Sequence, residues 1–95
     1  MGPVRLAGQL ICVNDQQALV VAAHLPAHIK STRAELGCIS FDVTETANPL
    51  IWDVAELFAD ETVFGAHQER VAGSEWGRAT AGFERRYSIE TLPAE

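Results

Sequence analysis

The stretch Cys38–Phe58, CISFDVTETANPLIWDVAELF, decides the fold. From Cys38 to Thr46 apolar and polar residues alternate: Ile39, Phe41 and Val43 fall on one side, Ser40, Asp42 and Thr44 on the other. That period-two pattern is the signature of a strand with one apolar face. Ala47-Asn48-Pro49 supplies turn chemistry, and Leu50–Phe58 reads as the next strand. Two strands joined by about three residues make an antiparallel hairpin.

Working outward, the hairpin is flanked on each side by a helix and then a strand. On the N-terminal side, Val4–Val13 is β-branched and leucine-rich without alternation, as in a strand buried on both faces. Asn14 and Asp15 follow as helix caps. Ala18, Val21, Ala22, Leu25 and Ile29 then recur at helical spacing, and Gly37 is expected to close the helix as its C′ glycine. Pro26 lies inside this helix and is expected to kink or restart it, because proline lacks the N–H and clashes one turn back. On the C-terminal side Asp60 caps a second helix with Val63, Phe64, His67 and Val71 on one stripe. Gly73-Ser74 breaks it, a short turn runs from Trp76 to Ala79, and Phe83–Ile89 alternates as a last strand. The order β-α-β-β-α-β is the split βαβ, ferredoxin-like arrangement: an α+β fold whose antiparallel sheet carries its helices on one face.

Ninety-five residues bound the chain to one domain, residues 1–95, with a thin core. The net charge of −6 is uneven, since residues 39–69 hold seven acids and neither Lys nor Arg. Without a basic face, nucleic acid is excluded as a partner. The longest uncharged apolar stretch, Ala18–Ile29, is broken by His24, Pro26 and His28 and falls short of the ~20 residues of a membrane span. With no leader pattern at the N-terminus, the expectation is a soluble cytoplasmic protein. Cys12 and Cys38 are too few for a disulfide framework and read as small buried hydrophobes. His24 and His28 have a spacing that can chelate a metal, yet Pro26 distorts it and no third ligand is placed, so no metal is expected.

Helices on one side of a sheet leave the other face bare. The first strand is apolar on both sides, and Leu50, Trp52, Val54 and Phe58 share a parity in the third. A bare apolar sheet is expected to be covered by a second copy of the chain, giving a homodimer.

Three passages resemble the antibiotic biosynthesis monooxygenase family, which includes small quinol monooxygenases. Arg33-Ala34-Glu35-Leu36-Gly37-Cys38 is similar to that family's Arg-x-Glu-Pro-Gly-Cys, with Leu36 in the proline position. Glu56-Leu57-Phe58-Ala59-Asp60 and Phe64-Gly65-Ala66-His67 resemble its Glu-x-Trp/Phe-x-Asp and Phe-x-x-His, and Ser74-Glu75-Trp76 its Ser-x-Trp/Phe element. The resemblance spans Val4–Ile89. It implies a dimeric α+β barrel that oxidises phenolic or quinol rings with molecular oxygen, without metal or flavin.

The same resemblance points to Asn48 and Trp52, four residues apart, as the pair that holds the ring and its oxygenated intermediate. Phe58 stands where a relative has tyrosine and cannot donate a hydrogen bond. The plainer reading makes Asn48 an Asn-Pro turn residue and Trp52 a core anchor. His67 is the candidate general base, against a plain packing role on its apolar stripe. Glu56 shares parity with Trp52 and needs a partner if buried, for which Arg85 of the last strand is the expectation. Trp76 completes the candidate ring-binding set with Phe58, Glu56 and Arg85.

Three functions follow: a cofactor-independent monooxygenase of a quinol or phenolic ring, a non-catalytic binder of small aromatic ligands, and haem degradation. The last is least supported. Related haem-degrading barrels use an Asn on the first strand plus a Trp and a His, where this chain offers Gln9, His67 and Gly77.

Overall fold

The computed structural model describes residues 2–94. Strands β1 (Val4–Ile11), β2 (Cys38–Glu45), β3 (Ile51–Phe58) and β4 (Glu84–Thr91) alternate with helices α1 (Asp15–Arg33), α2 (Glu61–Ala72) and the short α3 (Glu75–Ala79). The sheet order is β2-β3-β1-β4, with every neighbouring pair antiparallel. This is the split βαβ topology, with the hairpin β2–β3 on one side.

Both long helices begin where an Asx side chain satisfies an orphan N–H. Asn14 accepts from the Gln17 amide at 2.9 Å and Asp60 from the Val63 amide at 2.9 Å. Helix α1 runs unbroken through Pro26 instead of restarting there. Pro26 and Ala22 are both exposed, so the carbonyl that loses its donor opens to water. The buried stripe of α1 is Val21, Leu25, His28 and Thr32, so two polar residues extend the apolar pattern read from sequence. Gly37 does not close the helix: α1 ends at Arg33, and Gly37 lies in the turn beyond with φ of 89°. A Cβ there would lie 2.8 Å from the Val63 methyls. In the centre of β1, Gly8 (φ 153°) lets β4 approach, since a Cβ would meet the Arg86 carbonyl at 2.0 Å.

Strand register sorts the helix-facing side into four cross-sheet rows: Glu45–Trp52–Leu10–Arg85, Val43–Val54–Gly8–Tyr87, Phe41–Glu56–Leu6–Ile89, and a last one through Phe58 and Val4. Leu6, Leu10, Trp52 and Val54 pack with Val21 and Leu25 of α1 and Trp76 of α3. The shared apolar parity of β3 therefore faces the helices, which corrects the inference that it lines the bare side. The open face shows Arg5 donating to Glu90 at 2.6 Å and Gln9 donating to Asp53 at 3.0 Å. Strand alternation admits one apolar parity per covered face, and the helices claim it.

Cys12 and Cys38 are free thiols. Cys38 is level with Phe58 at one end of the sheet, whereas Cys12 follows Ile11 at the other. No helix among the described residues is long and apolar enough to cross a membrane.

Candidate functional site

Four elements converge on His67. The Asp60 cap fixes the start of α2, so that His67, Arg70 and the turn after α1 meet over the Glu56 end of the sheet. Residues three apart on a helix share a face, which places His67 and Arg70 together. Both reach Glu35: His67 Nδ1 lies 2.6 Å from one carboxylate oxygen, and Arg70 Nε donates to the other at 2.9 Å. A second Arg70 nitrogen donates to Thr32 Oγ1 at 3.0 Å, and Thr32 is fully buried. Burial alone raises the Glu35 carboxyl, but hydrogen bonds from Arg70 and His67 outweigh it and hold the group below its usual range.

The other face of the ring looks at Glu56. Its Oε1 is 3.7 Å from His67 Nε2, too long for a hydrogen bond, and that oxygen is buried without a partner. Desolvation, with a smaller push from the Glu35 charge, raises the Glu56 carboxyl to about 7. An uncompensated buried carboxylate is costly, so Glu56 holds its proton to near neutrality.

Aromatic rings enclose the pair. Phe58, with no exposed surface, lies 4.7 Å from the His67 ring, and Phe41 lies 5.9 Å from it. His28 stacks on Trp76 with centroids 4.6 Å apart and planes 4° from parallel, and meets Phe41 edge-on. Burial, aided by the Arg70 charge, lowers His28 to about 4, so this ring is neutral. Its Nδ1 is buried and unpaired. A cleft between α1, α2 and α3, walled by His28, Ser31, Arg70 and Trp76, opens beside it.

The predicted residues divide into two groups. Glu56, His67, Phe58 and Trp76 gather at one end, whereas Asn48 and Trp52 lie toward the other. Trp52 is four residues from Glu56 along β3, roughly 13 Å. It is buried in the core and forms one wall of an apolar groove with Leu25, Pro26, Ile29 and Val43. Asn48 is an exposed turn residue whose side-chain oxygen accepts from the Leu50 amide at 2.9 Å. Arg85 does not pair with Glu56. It stands two rows away and donates to the Thr80 carbonyl at 3.0 Å and the Thr80 hydroxyl at 2.7 Å, tying down the turn before β4. His24 Nδ1 lies 3.9 Å from a Glu75 carboxylate oxygen, and no group of three metal-binding side chains occurs among the described residues.

Glu35, Arg70 and Thr32 are the site residues that sequence reading passed over, and His28 was weighed there only as a metal ligand. Glu35 lay within the quoted Arg-x-Glu motif, and Arg70 lay one turn beyond His67. Each carried a local signal, but nothing local joins the two.

No protein-family model matches the sequence, and no curated protein does. Solved structures do match over nearly the whole chain. A protein of Nitrosomonas europaea, named as a candidate antibiotic biosynthesis monooxygenase, superposes with TM-score 0.81 at 16% identity, covering 97% of this chain and 92% of its own. A similarly named protein of Deinococcus radiodurans gives 0.74 at 16% identity, with coverages of 97% and 94%. A Mycobacterium tuberculosis protein gives 0.74 at 22% identity, with coverages of 98% and 97%. What is shared at these identities is the fold. The chain has the antibiotic biosynthesis monooxygenase-like α+β architecture.

Proposed function

We propose that this protein is a cofactor-independent monooxygenase of a quinol or phenolic ring, with His67 and Glu56 taking the hydroxyl proton. The buried Glu56–His67 pair carries the reading, because it places a basic nitrogen and a carboxyl tuned near neutrality in a dry aromatic enclosure. Deprotonating a phenol makes the ring electron-rich enough to pass one electron to oxygen. Ring radical and superoxide then combine at a ring carbon that carries hydrogen, para to the hydroxyl in a phenol and ortho to it in a quinol such as menadiol. Loss of water leaves a second carbonyl there: one oxygen atom stays in the quinone product, and the other departs as water with both hydrogens. The protein supplies binding, orientation and exclusion of solvent.

In this reading the flat ring enters the aromatic enclosure beside His67, against Phe58 and Phe41, because the Trp52 groove and Asn48 lie too far along β3 for His67 to take a proton from a ring held there. Oxygen uptake with menadiol above the spontaneous rate tests it. Trp52→Phe and Asn48→Ala are expected to leave turnover by the folded enzyme unchanged; a raised KM in the first or a lowered kcat in the second would seat the ring in the Trp52 groove and remove His67 from the reaction. Absence of uptake by the wild type overturns it.

One observation favours the non-catalytic alternative. Glu56 and His67 are only 8% and 3% exposed, so a ring reaches them only if the enclosure opens. A binder would show tryptophan quenching by quinols without oxygen consumption.

We also propose a homodimer across the open sheet face. There Ala7–Ala55 and Ile11–Ile51 pair and Leu57 adds apolar area, with the polar pairs Arg5–Glu90 and Gln9–Asp53 interleaved among them along the strands. Apolar area interleaved with polar groups that are already paired matches the mixed makeup of protein interfaces. Sedimentation at micromolar concentration is expected to give twice the chain mass. A stable monomer overturns this.

A further inference from the structure

We infer that Glu35, clamped by Arg70, is the positioning residue of the buried base, fixing the His67 ring with Nδ1–H toward itself and the Nε2 lone pair toward Glu56. A carboxylate only accepts hydrogen bonds. Glu35 at 2.6 Å from Nδ1 therefore dictates that this nitrogen carries the proton in the neutral ring. Nε2 is then left as the free base, 3.7 Å from the unpaired oxygen of Glu56.

Arg70 acts one step further out. Its Nε bond to the second Glu35 oxygen and its bond to buried Thr32 hold the carboxylate in one orientation. The two bonds also keep Glu35 ionised, because they more than offset its partial burial. Without Arg70, two carboxyls would flank one imidazole in a water-poor enclosure, and both would compete for its protons. With it, the two acids are set apart: Glu35 stays charged and orients, while Glu56 is free to exchange a proton with Nε2. Environments that push paired titratable groups apart assign their roles. The charged and titratable groups facing the ring are Glu35 from the turn after α1, Arg70 from α2, Glu56 from β3 and His28 from α1. His28 stays neutral under its burial, so it does not compete for the Glu35 carboxylate.

The importance of this device for turnover rests on the proposed oxygenase reading; the tautomer assignment does not. Long-range ¹H–¹⁵N spectra of histidine-labelled wild-type protein at neutral pH are expected to show His67 protonated at Nδ1 and bare at Nε2. A single far-downfield Nδ1–H proton is expected from the short bond to Glu35. Glu35→Gln keeps the shape but removes the charge, and is expected to move that proton upfield and populate the second tautomer. Arg70→Met leaves Glu35 unclamped, and is expected to move that proton upfield and admit some of the second tautomer, though less than Glu35→Gln does. A protonated Nε2 in the wild type overturns the inference, as does an unchanged ring in folded Glu35→Gln. If Glu35→Gln does not fold, the wild-type tautomer alone decides. Should menadiol turnover be present, Glu35→Gln is expected to lower kcat at least tenfold with KM little changed, as for an orienting carboxylate behind a histidine base. If menadiol is not consumed but the tautomer is as stated, the proposed reaction fails and the positioning role stands.

Discussion

A His28→Phe variant is expected to lose about 3 kcal/mol of stability, relative to wild type, as pH rises from 4.5 to 7. The reason is a compensation between two buried groups. Glu56 ionises at about 7 in the folded chain against 4.5 when unfolded, because burial, then the Glu35 charge, disfavours its carboxylate. Across that window the folded state holds a proton the unfolded state has released. The contribution of Glu56 is therefore fully present below pH 4.5 and gone above 7, at about 1.4 kcal/mol per pH unit. His28 runs the other way. Its folded value of about 4 lies below the ordinary 6.5, chiefly through burial, with help from Arg70. Between those values the unfolded state binds the extra proton, so stability rises with pH. From 4.5 to 6.5 the two slopes oppose and nearly cancel in the wild type. Phenylalanine fills the slot between Trp76 and Phe41 without titrating, which exposes the Glu56 slope. Glu56→Gln exposes the opposite one, a gain of about 3 kcal/mol between pH 4 and 6.5. Urea unfolding at a series of pH values measures both, and variant curves parallel to wild type would refute the compensation.

The largest effect on activity is expected from His67→Gln: a fall in menadiol kcat of about 10²- to 10⁴-fold, the usual worth of a positioned base. Glutamine can still donate a hydrogen bond to Glu35, so the chain should fold. It cannot accept a proton at neutral pH. Since the aromatic walls, Phe58 and Phe41, are unchanged by the substitution, KM should change little. Stopped-flow oxygen consumption at saturating menadiol reads the change. A His67→Gln enzyme that keeps its kcat would remove the base from the proposed mechanism.

Much of this architecture was legible in the sequence, for reasons that can be named. Alternation in β2, the Asx caps of α1 and α2 and the Asn-Pro turn are local signals, and they set the order of elements correctly. Proline was less informative, because the solvent exposure of Pro26 removes the penalty that would break a buried helix. The orientation of the sheet was misread, since periodicity shows that two faces differ but not which one the helices cover. Among site residues, His67 and Glu56 were readable from their parity and stripe. Arg85 was paired wrongly because a strand pattern gives parity without register, and register sets it two rows from Glu56. Glu35 and Arg70 are brought together by the turn after α1, a long-range arrangement that no local pattern encodes.

That turn has a consequence for how freely the chain can be lengthened or shortened. The Ala59 amide donates to the Gly37 carbonyl at 2.8 Å, so the residue before the Asp60 cap is fastened to the loop that presents Glu35. Acid and base are thus carried on two segments stapled to each other, at a fixed count of residues from the end of α1 to the start of β2. Adding one residue between Arg33 and Gly37 would swing the carboxylate off the imidazole even if every helix and strand survived. The exposed Ala47–Pro49 turn touches neither Glu35 nor His67, so an insertion there disturbs only its own bonds, Asn48 to the Leu50 amide and Thr46 to the Ile51 carbonyl.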